Sequence, residues 1–160
     1  MRSLPGKTGK EEKIVPLVVS LVIILDRFTK ILILHYVRET ESLPVIAGYF
    51  HITRVNNTGA AFGIMKHSQG VLIGISVFFI LGITAWFVKN RHRPLSPVSY
   101  GWALVLAGAV SNAYDRVRYG YVIDFLDFRV WPVFNGADIS ICTGIFLISL
   151  SFFLKERSRA

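Results

Sequence analysis

Charge is scarce in this chain of 160 residues: Asp, Glu, Lys and Arg make up only 18%, against 52% hydrophobic residues. A soluble domain of this length needs more polar surface, and the mean hydropathy of +0.51 points the same way. Cysteine is almost absent. Cys142 stands alone inside an apolar run, so no intrachain disulfide can form and no Cys/His spacing suggests zinc. It reads as a small apolar packing residue. His35, His51, His67 and His92 are scattered, with no HExxH, which argues against a zinc peptidase. There is no Gly-rich phosphate loop, no internal repeat and no low-complexity linker. Acids are few too, 10 against 18 Lys and Arg, for a net charge of +8. A nucleic-acid partner would call for a basic patch on a folded face. Here much of the positive charge clusters in three short stretches that flank apolar runs, the pattern of membrane flanks.

What is present is a set of apolar segments. Residues 1–13 are a polar, basic tail with Arg2, Lys7, Lys10 and Lys13. The first apolar segment runs over 14–37 and is interrupted by Asp26, Arg27 and Lys30. It continues past those charges, and no small-residue cleavage site follows, so it reads as a retained helix rather than a signal peptide. The cleanest segment, 71–88, has eighteen residues without a charge and ends at Lys89, Arg91 and Arg93, before Pro94 and Pro97. A third covers 98–114, with Gly101, Ala103, Ala107, Gly108 and Ala109, small residues that let membrane helices approach closely. The fourth covers 139–154 and ends at Lys155, Arg157 and Arg159. A span needs about 20 residues, so the third and fourth are slightly short by strict count. The expected fold is an all-α membrane protein: a single domain over 1–160, a four-transmembrane-helix bundle with a small β-containing extracytoplasmic loop.

Positive charge sets the expected topology. The N-terminus, the 89–97 loop and the C-terminus share one side, with Arg2, Lys7, Lys10, Lys13, Lys89, Arg91, Arg93, Lys155, Arg157 and Arg159 there. The other side has Arg38, Arg54, Lys66, Arg118 and Arg129, with Arg116 near a helix end. The bias puts both termini in the cytoplasm and turns the 38–70 and 116–137 loops outward. In the first loop, Tyr49–Val55 reads as a short strand or hairpin arm, and Asn56-Asn57-Thr58-Gly59 as a turn.

The informative residues are charges and amides in or beside apolar helices. A charge at the bilayer centre costs about 2.5–3.5 kcal/mol even on the lenient insertion scale, so such residues face a partner or a wet cavity. Asp26 and Lys30 are four apart and share a helix face, either as a structural ion pair or in contact with a ligand. Asn112 and Arg116 are likewise four apart. Asp115, beside Arg116, reads as a structural acid held by a basic neighbour. Asp124 and Asp127 sit among large apolar residues in Val122–Phe128. Asp138 stands where the fourth segment begins, and position alone leaves it open between a helix N-terminal charge and a catalyst.

Two carboxylates brought close cannot readily both ionise, so they share one proton. The ionised member can take a proton from water while the protonated one polarises a carbonyl, the aspartic protease arrangement, which needs no metal and no cofactor. Asp124 and Asp138 are too far apart in sequence for one helix to join them; the fold must do it. A Ser–Lys mechanism is poorer, because Asp26 keeps Lys30 charged.

Five blocks then carry a resemblance: Asp26-Arg27-Phe28-Thr29-Lys30, Asn57-Thr58-Gly59-Ala60-Ala61-Phe62, Asn112-Ala113-Tyr114-Asp115-Arg116, Val122-Ile123-Asp124-Phe125 and Phe134-Asn135-Gly136-Ala137-Asp138. In this order and at these spacings the chain resembles the bacterial lipoprotein signal peptidases (signal peptidase II). The resemblance implies an inner-membrane aspartyl endopeptidase that removes the signal peptide from prolipoproteins just before a cysteine carrying diacylglycerol. It matches the catalytic pair to Asp124 and Asp138, and supporting residues to Asp26, Lys30, Asn57, Gly59, Asn112, Arg116 and Asn135. Prolipoproteins and membrane lipids are the implied partners, with no metal, and a monomer is expected. Ser111, where the family usually has Gly, and Gly136, where it more often has a larger apolar residue, depart from the pattern. The competing readings are a small transporter or channel component, with Asp26, Lys30, Asn112 and Arg116 lining an ion path, and a noncatalytic assembly factor. The first predicts polar residues through the full bilayer depth, yet the polar blocks gather toward one side. The second leaves Asp124 and Asp138 unexplained.

Overall fold

A computed structural model describes residues 9–59 and 68–158. Arg2, Lys7, Lys66 and Arg159 of the charge pattern, and Ala60-Ala61-Phe62 of the second block, lie outside the described residues. Along the chain come α1 (Gly9–Tyr36), β1 (Ser42–Ile46), β2 (Phe50–Asn57), α2 (Gln69–Lys89), α3 (Pro97–Tyr119), β3 (Val122–Asp127) and α4 (Gly136–Arg157). The described residues are mostly helical, with four helices and one three-stranded sheet.

The third and fourth apolar segments are longer as helices than as apolar runs. α3 has 23 residues and α4 has 22, roughly 33–35 Å each at helical rise. Both are extended by polar turns. α3 starts at a Ser96–Ser99 capping box with Pro97 in its first turn, and closes on Gly120 at φ 79. That left-handed cap costs a glycine nothing. α1 likewise begins within the polar tail, at Gly9 rather than at residue 14. Two of the four, α2 and α4, are long and apolar enough by length and composition to cross a membrane. α1 and α3 carry Asp26, Arg27, Lys30, Asp115 and Arg116 within their lengths.

Polarity is turned inside out. Phe78 and Leu81 of α2 and Phe146 and Phe152 of α4 are exposed, while Lys30 and Asp115 are fully buried. Small residues join α3 to α4. Gly101 and Gly144 face each other so closely that a Cβ on Gly144 would lie 2.5 Å from the Gly101 carbonyl oxygen, and one on Gly108 would run into the Ala137 carbonyl. The small-residue stripe of the third segment therefore packs as expected at Gly101, Ala103, Ala107 and Gly108, all buried.

The sheet is antiparallel throughout, in the order β1-β2-β3. Gly48, at φ 78, turns β1 into β2. The strand reading of Tyr49–Val55 was right in kind but short. Asn56 and Asn57 are not a turn; they are the last rungs of β2, paired with Ile123 and Val122. β3 was not foreseen as a strand. Its Ile123 and Phe125 pack on Ile33 of α1 and on Val37 just beyond it, which pins the sheet to the end of that helix.

Candidate active site

Register explains how the sheet presents Asp124. In the β2–β3 pair Val55 is opposite Asp124 and Asn57 opposite Val122, so side chains of Asn57 and Asp124 share one face. The Asn57 Nδ2 donates to Asp124 Oδ2 at 2.8 Å. Asp138 comes from the first turn of α4. Its Oδ2 accepts from the Asn135 backbone N–H at 3.2 Å, while the Asn135 Oδ1 accepts from the Asp138 N–H at 3.0 Å. This reciprocal pair is a capping box. The helix-cap reading of Asp138 is therefore correct, and it does not displace the other reading. Asp138 also lines, with Asp124, Asn57, Asn112 and Arg116, a cleft of about 1430 Å³.

Amides hold the two carboxylates in one network. The Asn135 Nδ2 donates to Asp124 Oδ1 at 2.6 Å and is 3.3 Å from Asn112 Oδ1. The Asn112 Nδ2 donates to Asp138 Oδ1 at 2.8 Å. The Lys30 ammonium donates to Asn112 Oδ1 at 3.0 Å. An ammonium has no acceptor, so Lys30 fixes which end of the Asn112 amide faces Asp138.

Behind the amides lies an ion cluster. Lys30 Nζ is 2.9 Å from Asp26 Oδ2 and 2.8 Å from Asp115 Oδ2. Arg27 reaches Asp115 Oδ1 at 2.6 Å and Asp26 Oδ2 at 3.3 Å. Two cations meet two anions, so the buried set is neutral as a unit. The choice left open for Asp26 and Lys30 resolves to an ion pair. Asp115 is structural, as read, but its partners are Arg27 and Lys30 across the bundle rather than the adjacent Arg116. Arg116 instead donates to the Asn112 and Gly59 carbonyls at 3.4 and 3.3 Å. Gly59, buried, donates its N–H to Asn57 Oδ1 at 2.9 Å. Asp127 stands apart from the cleft, where Thr53 and Arg129 donate to it at 2.7 and 3.0 Å.

Asp124 is only 2% exposed. Burial, with the Asp138 charge adding to it, pushes its carboxyl up to about 7, although the amides of Asn57 and Asn135 work against the rise. For Asp127, burial is overcome by the hydrogen bonds from Thr53 and Arg129, which hold it below the ordinary value.

The site thus gathers Asp124, Asp138, Asn57, Asn112 and Arg116 at the cleft, with Asn135 between the carboxylates and Asp26 and Lys30 behind. Sequence reasoning missed Ser111 and Arg27 as members. Arg27 carried a signal, a second cation beside Asp26 in an apolar run. Ser111 carried only its departure from the family's usual Gly before Asn112. The apolar wall of the cleft, Phe128 and Val130–Phe134, was also not anticipated.

Fold and site together define a small, mostly helical protein with apolar outer faces and a pair of carboxylates in an amide-lined cleft. A solved structure described as a bacterial membrane enzyme, obtained by the in meso method, superposes with a TM-score of 0.86 at 30% identity, over 98% of this chain and 96% of that one. The lipoprotein signal peptidase of Halothermothrix orenii is 41% identical over 141 residues, 88% of this chain and 96% of its own. That of Pelotomaculum thermopropionicum is 42% identical over 134 residues, 83% of this chain and 87% of its own. The family model for signal peptidase (SPase) II matches residues 18–154. The chain belongs to the signal peptidase II family.

Proposed function

We propose that the protein is an aspartyl endopeptidase of the membrane, cutting the signal peptide from prolipoproteins just before a diacylglyceryl-modified cysteine, with Asp124 and Asp138 as the catalytic pair. The observation that carries this is the network itself: two carboxylates on one cleft, each holding two N–H donors, one pushed up to about 7. Asp138 sits half-buried in the first turn of α4, and Asp124 in the more buried place. Asp138 is then the general base that takes a proton from water, and Asp124 the acid that gives one to the leaving amine of the modified cysteine. Asn57, Asn112 and Asn135 orient the pair. Arg116 and Gly59 secure the loop beside the cleft, and Asp26 and Lys30 hold Asn112 and α4 from behind.

A membrane location supports a lipid-bearing substrate. α1 and α3 cross the bilayer beside α2 and α4, with their charges turned into the bundle, so the whole chain acts as one four-span domain. Both termini lie in the cytoplasm and the cleft opens at the outer face of the inner membrane, where acyl chains stay in lipid while the scissile bond reaches the carboxylates. The protein works as a monomer. The test is incubation of the purified protein with a diacylglyceryl-modified precursor lipopeptide. Cleavage before the modified cysteine is expected, and an intact lipopeptide refutes the reading.

A further inference from the structure

Ser111 and Gly136 lie on different helices and meet at one carboxylate. The Ser111 hydroxyl donates to Asp26 Oδ2. It accepts from Arg27 Nε at 3.2 Å, so its single hydrogen is directed at Asp26. The other oxygen, Asp26 Oδ1, accepts from the Ala137 backbone N–H at 2.9 Å. That amide is one of the orphan donors of the first turn of α4, and Asn135 satisfies the next one, on Asp138. A Cβ on Gly136 would lie 3.1 Å from the same Oδ1, closer than it can sit without moving the carboxylate. Asp26 thus joins α1 to the turn that carries Asp138, guided by a hydroxyl on one side and admitted by a missing side chain on the other.

The geometry points to Ser111 and Gly136 as positioning residues that set the place of Asp138 by seating Asp26 on the first turn of α4. This rests on the reading of Asp138 as a catalytic carboxylate. Neither residue lines the cleft, so both act on turnover rather than on substrate affinity. A displacement of the order of 1 Å costs up to about a hundredfold in rate; the loss of one guiding hydroxyl should cost less, about tenfold.

The test is steady-state cleavage of a diacylglyceryl-modified precursor lipopeptide by purified Ser111→Ala, Gly136→Ala and the double variant. Ser140→Ala serves as the structural control, because its hydroxyl donates to the Leu104 carbonyl at 2.8 Å, between α3 and α4, rather than to Asp26. Each single variant at the Asp26 seat is expected to lose about tenfold in kcat with KM within twofold. The double variant should lose less than the product, since both changes act through one carboxylate. Ser140→Ala should lower the melting temperature and leave kcat unchanged. If Ser111→Ala and Gly136→Ala behave like Ser140→Ala, or if their kcat losses simply multiply, the positioning role is overturned. Asp138→Asn in the same assay separates the two claims: substantial turnover there removes the catalytic reading itself, whereas an inactive Asp138→Asn beside an unaffected Ser111→Ala removes only the positioning role.

Discussion

The pH dependence of cleavage is the sharpest consequence of an Asp124 carboxyl raised to about 7. As the acid of the pair, Asp124 is active only when protonated. A group titrating at about 7 is about nine-tenths protonated at pH 6 and about one-tenth at pH 8, so kcat/KM should fall about tenfold between those values. The causes of the raised value give a second handle. The Asn57 amide, 2.8 Å from Asp124 Oδ2, stabilises the ionised form. Removing it with Asn57→Ala forfeits a hydrogen bond to a charged group, about 1.5 kcal/mol at the low end, and each pH unit is worth about 1.4 kcal/mol. The limb should therefore move upward by on the order of one pH unit, whatever happens to the maximal rate. The assay is kcat/KM for a diacylglyceryl-modified lipopeptide in detergent micelles across pH 5 to 9. A rate that rises through pH 7 would assign Asp124 as the base instead. A limb that stays in place in Asn57→Ala would show that it belongs to another group.

The same carboxyl predicts a stability effect of definite sign. Its folded value lies above the ordinary 3.8, so the folded state holds a proton that the unfolded state has lost, and stability declines as pH rises from about 4 through 7. The melting temperature of the parent in detergent should drop across that window, and the Asp124→Asn variant should lose that part of the slope; an unchanged slope contradicts the burial argument. Lys30→Met leaves Asp26 and Asp115 with Arg27 as their only cation. Breaking a buried ion set costs about 3–5 kcal/mol, or roughly 6–20 °C in melting temperature for a chain of this size, and a shift under 3 °C contradicts the neutral-cluster account. Gly144→Val drives a Cβ to 2.5 Å from the Gly101 carbonyl. Overpacking of this kind costs about 1–3 kcal/mol, and a thermal melt at parental temperature would show that α3 and α4 separate at no cost.

Much of the architecture was legible because it follows from composition. Four apolar stretches became four helices, and the small residues of the third became its contact with α4. Their ends were less legible. α3 and α4 begin with polar caps, Ser96 and Asn135, that hydropathy counts as loop, and Asn112 and Asp115 toward the far end of α3 face the bundle rather than water. β3 was hidden for a different reason. Val122–Asp127 is a strand because Asn56 and Asn57 of a distant segment pair with it, and no local period announces such a pairing. At the site, the residue types were visible but their partners were not. Asp26 and Lys30 declared their pairing by helical spacing. Asp115 found Arg27 and Lys30 only through the packing of α1 on α3. Asp138 looked like a choice between a cap and a cleft residue, and one carboxylate with two oxygens serves both.

The central claim is that Asp124 and Asp138 together cut the substrate, and substitution of each by Asn tests it most directly. Purified Asp124→Asn and Asp138→Asn should each unfold cooperatively in detergent as the parent does and leave a diacylglyceryl-modified lipopeptide intact. Substantial cleavage before the modified cysteine by either folded variant would contradict the account.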